Sequence, residues 1–141
     1  MKKFLILSLA ILFFAGCASV KNVSEIEDVM AKEQAMGETM LNAFKKQDYD
    51  AFIQFIPQGG RQEYNKEKFK NEQREIASRM GKIDSYRFLT RLEKEPLHEL
   101  VWAVRFMSYS LKGEKVFKET IFSVVIGEVD GTRRVFLFGF K

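Results

Sequence analysis

The chain has few of the residues from which disulfide frameworks and metal sites are built. Its 141 residues include one cysteine, one histidine and two prolines. A single cysteine leaves the folded domain without an internal disulfide, and a single histidine excludes a histidine-rich metal site. Any Ser-His-Asp arrangement would have to use His98. We therefore expect no metal, no cofactor and a fold held together by hydrophobic burial.

The first residues have the pattern of an export signal. Lys2 and Lys3 precede an apolar run over residues 4–14, and Ala15-Gly16 stands directly before Cys17. The run is shorter than the about 20 residues of a membrane-spanning helix, although a transmembrane anchor remains the alternative. The segment resembles a bacterial lipoprotein signal, with Phe14-Ala15-Gly16-Cys17 where that family has Leu-Ala-Gly-Cys. The resemblance implies cleavage before Cys17, acylation there with chains such as palmitate, and attachment to a membrane.

This resemblance divides the chain. Residues 1–16 are the cleaved signal, residues 17–24 are the lipidated cysteine and a tether, and residues 25–141 form one domain, because 141 − 16 = 125 residues suffice for one core. Ala18 rather than Asp follows the cysteine. In a Gram-negative organism this implies an outer-membrane protein that faces the periplasm.

The charge of the chain does not favour nucleic acid as a partner. There are 23 basic and 19 acidic residues, and removal of Lys2 and Lys3 leaves an excess of 21 − 19 = +2. A nucleic-acid-binding domain of this size normally carries a pronounced basic footprint. We expect no nucleic-acid partner.

The N-terminal half has the periodicity of helices. Ser24-x-x-Glu27 predicts a capping box, and apolar residues then recur at helical spacing opposite a face that carries Lys32 and Glu33. Methionines on this stripe predict core packing, with a ligand groove as the alternative. Asp48 predicts the cap of a short helix that ends at Pro57 and Gly59-Gly60, and a third helix is expected over residues 65–80, ending at Gly81. Asp48 and Asp50 could alternatively form a metal or acid-base pair.

The C-terminal half alternates with a period of two and predicts four antiparallel strands. Pro96, Lys112-Gly113 and Asp130-Gly131 separate them. Two-residue turns would place Trp102, Val104, Phe106, Ile121, Val125, Phe136, Phe138 and Phe140 on the face that meets the helices. The opposite face would carry Val101, Ala103, Met107, Tyr109, Phe122, Val124, Ile126, Val135 and Leu137.

That second apolar face requires a cover, since the helices cannot cover both sides. We predict a homodimer or a contact with another envelope protein through Val101, Arg105, Met107, Phe122, Val124 and Leu137. Within this patch, Arg105 would need a carboxylate or a backbone carbonyl across the interface.

The order of elements resembles the nuclear transport factor 2-like superfamily. The resemblance rests on the capped break at residues 45–51 and on the hairpin over residues 126–138, where Arg134-Val135 departs from the Trp-Lys-Ile of many relatives. It implies an α+β fold in which N-terminal helices pack on one face of a curved four-stranded antiparallel sheet, in a cone-like shape. It also implies a pocket between the helices and the sheet, and dimerisation through the sheet.

The candidate pocket residues are Glu119, Ser108, Tyr86, Trp102 and Phe106. Strand parity predicts that Glu119 faces the helices, where a carboxylate needs a partner, water or a ligand. A solvated position at the rim is the alternative. His98, close to Pro96, is expected at an exposed strand edge.

Three functions fit these observations. The first is a lipid-anchored envelope protein with a non-catalytic module that binds a small, apolar ligand or a protein. The second is an enzyme of the isomerase or dehydratase kind, with Glu119 as base and Tyr86 or Tyr109 as hydrogen-bond donor. The third is an accessory subunit of an envelope complex.

Overall fold

The computed structural model describes residues 23–141. The expected signal peptide, Cys17 and the tether up to residue 22 lie outside the described residues. The elements follow in the order α1 (Val23–Lys46), α2 (Tyr49–Ile53), α3 (Gln58–Glu63), α4 (Lys66–Met80), β1 (Lys82–Lys94), β2 (Leu97–Tyr109), β3 (Lys115–Val129) and β4 (Thr132–Phe140). The strands form one antiparallel sheet in the order β1-β2-β3-β4. The predicted α+β class, with helices before strands, is confirmed.

The helix boundaries agree with most of the predicted caps. The Asp48 carboxylate accepts the Ala51 amide of α2 at 3.1 Å, as predicted. At the expected start of the last helix, the Asn65 side chain accepts two amides of α4, a cap that sequence reasoning did not name. Gly81 ends α4 with a φ of 98°, a region that favours glycine. The capping box at Ser24 is wrong, because Ser24 already lies inside α1.

The expected stop at Gly59-Gly60 is also wrong, because both glycines belong to α3. Pro57 lies directly before α3, and its fixed φ separates α2 from a new helix rather than from a loop. The Arg61 side chain then donates to the carbonyls of Gln54 and Ile56, both at 2.7 Å. These bonds satisfy carbonyls at the end of α2 and bind the two short helices together.

The core lies between the helices and one face of the sheet. Aromatic rings fill it, with Phe52 packing edge-on to Phe138 and Phe44 packing edge-on to Phe69. Its fully buried strand residues are Leu100, Trp102, Val104, Phe106, Phe122, Val124, Ile126 and Val135. We call this the helix-facing side of the sheet.

The pairing of β2 with β3 differs from the prediction by one residue. Trp102 pairs with Phe122 and Tyr109 pairs with Lys115, so the connection contains five residues, 110–114, rather than two. It is closed by a hydrogen bond from the Ser110 amide to the Glu114 carbonyl at 2.8 Å. An odd number of turn residues reverses which side chains of β3 face the helices. Ile121 and Val125, expected on the helix-facing side, consequently point outward.

The last hairpin begins as predicted and then shifts. Val129 pairs with Thr132 across Asp130-Gly131, but a bulge at Val125 and Ile126 changes the register. A bulge places two residues of one strand opposite a single residue of the other. Phe136, which the prediction had facing the helices, is instead exposed beside Leu137, whereas Phe138 packs against the core.

Candidate functional site: the outer face of the sheet

The outer face is the side of the sheet away from the helices. Its apolar centre is formed by Val101, Ala103, Ile121, Val125 and Leu137, with Leu92, Leu97, Met107, Phe117 and Phe136 around it. The Leu137 residue is 66% exposed, and Ile121, Phe117 and Phe136 are also exposed. Isolated exposed apolar residues are common, whereas a contiguous group of this kind makes the outer face a candidate interaction surface.

Two of the predicted interface residues are not on this surface. Phe122 and Val124 are 0% exposed and belong to the core, as do Ile126 and Val135. The odd-length turn after β2 and the pairing that it sets bring them under the helices. Val101, Arg105, Met107 and Leu137 do lie on the outer face.

Glu99 is the most buried charged group of the outer face, with 6% of the residue exposed. Lys141 Nζ lies 2.7 Å from Glu99 Oε1, and Lys94 contacts Oε2. Hydrogen bonds from these two ammonium groups lower the pKa of Glu99 from 4.5 to about 2, although desolvation acts in the opposite direction. The carboxylate is therefore charged, and its charge is compensated within the chain.

Arg105 is likewise paired on the outer face. Its Nε and Nη2 donate to Asp84 Oδ2 at 2.9 and 2.7 Å, and its guanidinium lies 4.5 Å from the centre of the Phe117 ring. Asp84 is the extra residue of a bulge in β1, and the hydrogen bond from Arg105 lowers its pKa. The expectation that Arg105 needs a partner across an interface is therefore wrong, because β1 supplies one.

The predicted pocket residues are divided between the two sides of the sheet. Glu119 is exposed, and in the pairing of β2 with β3 it lies opposite Arg105 on the outer face. Its predicted helix-facing position is therefore wrong. It lines a shallow groove of about 190 Å³ on the outer face. Ser108, Trp102 and Phe106 lie on the helix-facing side, where Trp102 and Phe106 are buried among aromatic rings.

Tyr86 is half-buried beside α1, and it also lines the outer-face groove that contains Glu119. Burial raises its pKa, and the negative charge of Glu38 adds to this, whereas a hydrogen bond with Asn42 lowers it. Tyr86 is therefore protonated at neutral pH. The second candidate hydrogen-bond donor, Tyr109, is exposed at the end of β2.

A cluster of charged side chains that sequence reasoning missed connects α1 to the sheet. Glu33 is 0% exposed and receives Arg91 Nε at 2.9 Å, while His98 Nδ1 lies 3.0 Å and Arg133 Nε 3.6 Å from its other oxygen. Glu93 contacts both Arg91 and His98. We call these residues, with Glu128 next to Arg133, the ionic cluster.

The ionic cluster corrects two predictions. His98 was expected at an exposed edge and Glu33 on the polar face of α1, yet both are largely buried. One signal was available: Glu33 lies at the helical spacing of Val29, Met36 and Met40, and therefore on the apolar stripe. Both ring nitrogens of His98 face carboxylates. Because Glu33 in α1 contacts Arg91 in β1, His98 in β2 and Arg133 in β4, the cluster connects α1 to these three strands.

Within residues 23–141, no helix has the length and apolar character needed to cross a membrane. The same residues contain no group of three or more His, Cys, Asp or Glu side chains arranged to hold a metal ion. Comparison of the chain with protein-family models and with curated proteins gives no match to either.

Proposed function

We propose that the protein is a lipid-anchored, exported envelope protein whose domain is a non-catalytic binding module. Its binding surface is the outer face of the sheet, and its first partner there is a second copy of the chain. The observation that carries the proposal is an exposed apolar surface on which Glu99 and Arg105 are already paired within the chain. In the same proposal, the sheet curls around the helices as the cone of the nuclear transport factor 2-like superfamily, and the anchor is the lipid on Cys17.

The internal pairing of charges makes the outer face suitable for burial. Removing a charged group from water is costly unless it is paired and hydrogen-bonded. Glu99 is held by Lys94 and Lys141, and Arg105 is held by Asp84 through two hydrogen bonds. A partner can therefore cover the apolar centre without supplying a matching charge to either group.

A second copy fits these requirements. In a twofold contact the same patch meets itself, so an unpaired charge near the axis would face its own like charge. Glu99 and Arg105 are neutralised in place on the outer face, which removes that repulsion for these two groups. The resemblance stated above also implies dimerisation through the sheet. A different envelope protein on the same face is the alternative partner.

The position of Glu119 favours binding over catalysis. A general base must come within hydrogen-bond reach of a proton on a held substrate. Glu119 is exposed on the outer face, while the apolar residues proposed to enclose a substrate, Trp102 and Phe106, are packed in the core. The ionic cluster contains a carboxylate beside a histidine, but both are engaged by partners within the chain.

The dimer is tested with Leu137→Glu in a soluble form that begins at residue 19, which retains every described contact. We expect wild type to sediment as a dimer at tens of micromolar and Leu137→Glu to sediment as a monomer with unchanged circular dichroism. Leu111→Glu is the matched control, because Leu111 lies in the turn after β2 and is 109% exposed. A monomeric wild type would contradict self-association and would leave a foreign partner as the occupant.

The anchor is tested separately by Cys17→Ser in the full-length chain. Because it is the only cysteine, the variant has no other thiol to accept a lipid. We expect an uncleaved, unacylated precursor by mass spectrometry, and wild type in the membrane fraction. Each buried methylene contributes about 0.8 kcal/mol, so two or more chains hold the protein firmly. Wild type found wholly in the soluble fraction would contradict the anchor.

A further inference from the structure

The helix-facing side is open at one end, where α4 stands away from the sheet. Phe69 is the only buried residue that α4 contributes, and its C-terminal half covers the sheet loosely through Ile76 and Met80. A cleft of about 310 Å³ lies beneath it, between the end of α1 and the start of β1. Small-molecule sites begin at about this volume. We call it the cationic cleft, for the reason given next.

The cationic cleft has an apolar floor and a mouth of one charge sign. Phe44, Ile76, Ile83 and Phe106 line the floor, and Lys45, Lys46 and Lys82 line the mouth. An adjoining cleft, which shares Gln47, Gln73 and Ala77 with it, adds Lys70 and Arg74. No carboxylate is among the described residues that line either one.

This concentration of positive charge is local. On the other side of α4, a cleft of about 220 Å³ is lined by Glu72 and Glu75 together with Arg79 and Lys141, so its charges balance. Both clefts reach Ile76 and Phe106. The two clefts on either side of one helix thus share Ile76 and Phe106 and differ in charge, so the charge of a ligand distinguishes between them.

The mouth is held in place by hydrogen bonds. Lys45 Nζ donates to the Asp84 carbonyl at 2.9 Å, and Gln73 Nε2 donates to the Phe44 carbonyl at 2.6 Å. The first bond joins α1 to β1 and the second joins α4 to α1. Gly81, whose added Cβ would come within 2.4 Å of the Met107 carbonyl oxygen, closes the end of the cleft with bare backbone. The walls therefore come from three elements that are fixed to one another.

We propose that the cationic cleft binds a small anionic amphiphile, an organic carboxylate whose apolar body lies on Phe44, Ile83 and Phe106 while its head group meets the lysines of the mouth. Charge-assisted hydrogen bonds from the ammonium groups fix the head group. The burial of the apolar body provides the remaining affinity. The apolar floor of this site lies on the helix-facing side of the sheet, and no residue of the apolar centre of the outer face lines the cleft, so ligand binding is testable apart from the proposed dimer.

The proposal is tested with three probes of the same apolar body and different charge: naphthoate, naphthylmethanol and naphthylmethylamine. Binding is followed by calorimetry and by amide chemical shifts of wild type. We expect naphthoate to bind about tenfold more tightly than naphthylmethanol, equivalent to 1.4 kcal/mol, and the amine to bind weakest. Equal affinities of the acid and the alcohol, or no binding of naphthoate, would overturn the proposal.

Two pairs of variants locate the site. Lys46→Gln combined with Lys82→Gln should reduce naphthoate affinity to that of the alcohol, whereas Lys66→Gln combined with Lys112→Gln, which removes the same charge elsewhere, should not. Ala77→Phe should block all three probes, because Ala77 lines the cleft. Ser78→Phe is the control, since Ser78 is exposed on the same helix. Equal effects within either pair would overturn the assignment to this cleft.

Discussion

Two buried glutamates, one on each side of the same sheet, show how the two faces differ. Glu33 lies under α1 on the helix-facing side and is completely enclosed by Arg91, His98 and Arg133. Glu99 lies on the outer face and is covered by the ammonium ends of Lys94 and Lys141, which themselves remain exposed. The first carboxylate is part of the core, and the second is shielded from water only by flexible side chains.

This difference indicates what each face is organised for. Guanidinium and imidazole groups are planar, and their donors point in fixed directions, so the ionic cluster sets the position of α1 on the sheet. Lysines are flexible, and they can keep Glu99 paired while the apolar residues around it meet a partner. The helix-facing side therefore determines the fold, and the outer face is the side for which we propose binding.

The largest expected effect comes from removing the charge of Glu33. Glu33→Gln keeps the shape of the side chain and leaves Arg91 and His98 without their enclosed carboxylate. Breaking a buried ion pair costs 3–5 kcal/mol, and we expect about 3 kcal/mol because Glu93 and Glu128 still contact the cations. The measurement is the free energy of unfolding in urea. Glu27→Gln, on the exposed start of α1, is the control, and a loss below about 1 kcal/mol for Glu33→Gln would contradict a structural role of the cluster.

The sequence predicts the elements of this fold better than their register. Helical spacing, the cap at Asp48, the end of the last helix at Gly81 and the Asp130-Gly131 turn are local signals, and each of them holds in the structure. The face on which Glu119 and Phe122 lie depends on the length of the turn after β2. The sequence Ser110-Leu-Lys-Gly-Glu114 allows a two-residue turn or a five-residue turn, and local preference does not distinguish them.

The ionic cluster depends on long-range contacts and is therefore harder to predict. Glu33 and His98 are 65 residues apart, and Arg133 comes from the last strand. Each looks like an ordinary surface charge when only its neighbours in sequence are considered. Two positional signals point the other way, since Glu33 lies on the apolar stripe of α1 and His98 has the strand parity of Leu100 and Trp102. Glu33, His98 and Arg133 come into contact only when the sheet is assembled against α1.

A smaller effect is expected when one methyl group is added to each side of the sheet. Gly37 lies in α1 against Trp102, and an added Cβ would come within 2.1 Å of the indole ring. Overpacking destabilises the fold by about 1–3 kcal/mol, and the higher helix propensity of alanine offsets up to about 1 kcal/mol of that loss. Gly37→Ala should therefore lower the free energy of unfolding by about 1 kcal/mol.

The matched substitution on the outer face is Gly139→Ala. Gly139 lies in β4 and pairs with Ser123 of β3, and nothing lies within 4 Å of a Cβ added to Gly139. Alanine in a strand is more favourable than glycine by about 0.5–1 kcal/mol, so this variant should be neutral or more stable in urea. Equal effects of the two alanines would mean that the two faces do not differ in packing, and would remove the basis of the comparison.

A further effect concerns the pH dependence that Glu99 confers. Its pKa in the folded protein is about 2, below the ordinary value of 4.5, so between these values the unfolded chain binds more protons than the folded one. The stabilisation from its two lysines is fully present above pH 4.5 and is lost as the pH falls toward 2. Thermal unfolding followed between pH 5 and 2 should thus show a shallower decline for Glu99→Gln than for wild type. Glu114→Gln, in the turn after β2, should keep the slope of wild type. If Glu99→Gln also keeps that slope, the lysines do not hold the carboxylate, and the outer face would have to bury an uncompensated charge in order to bind a partner.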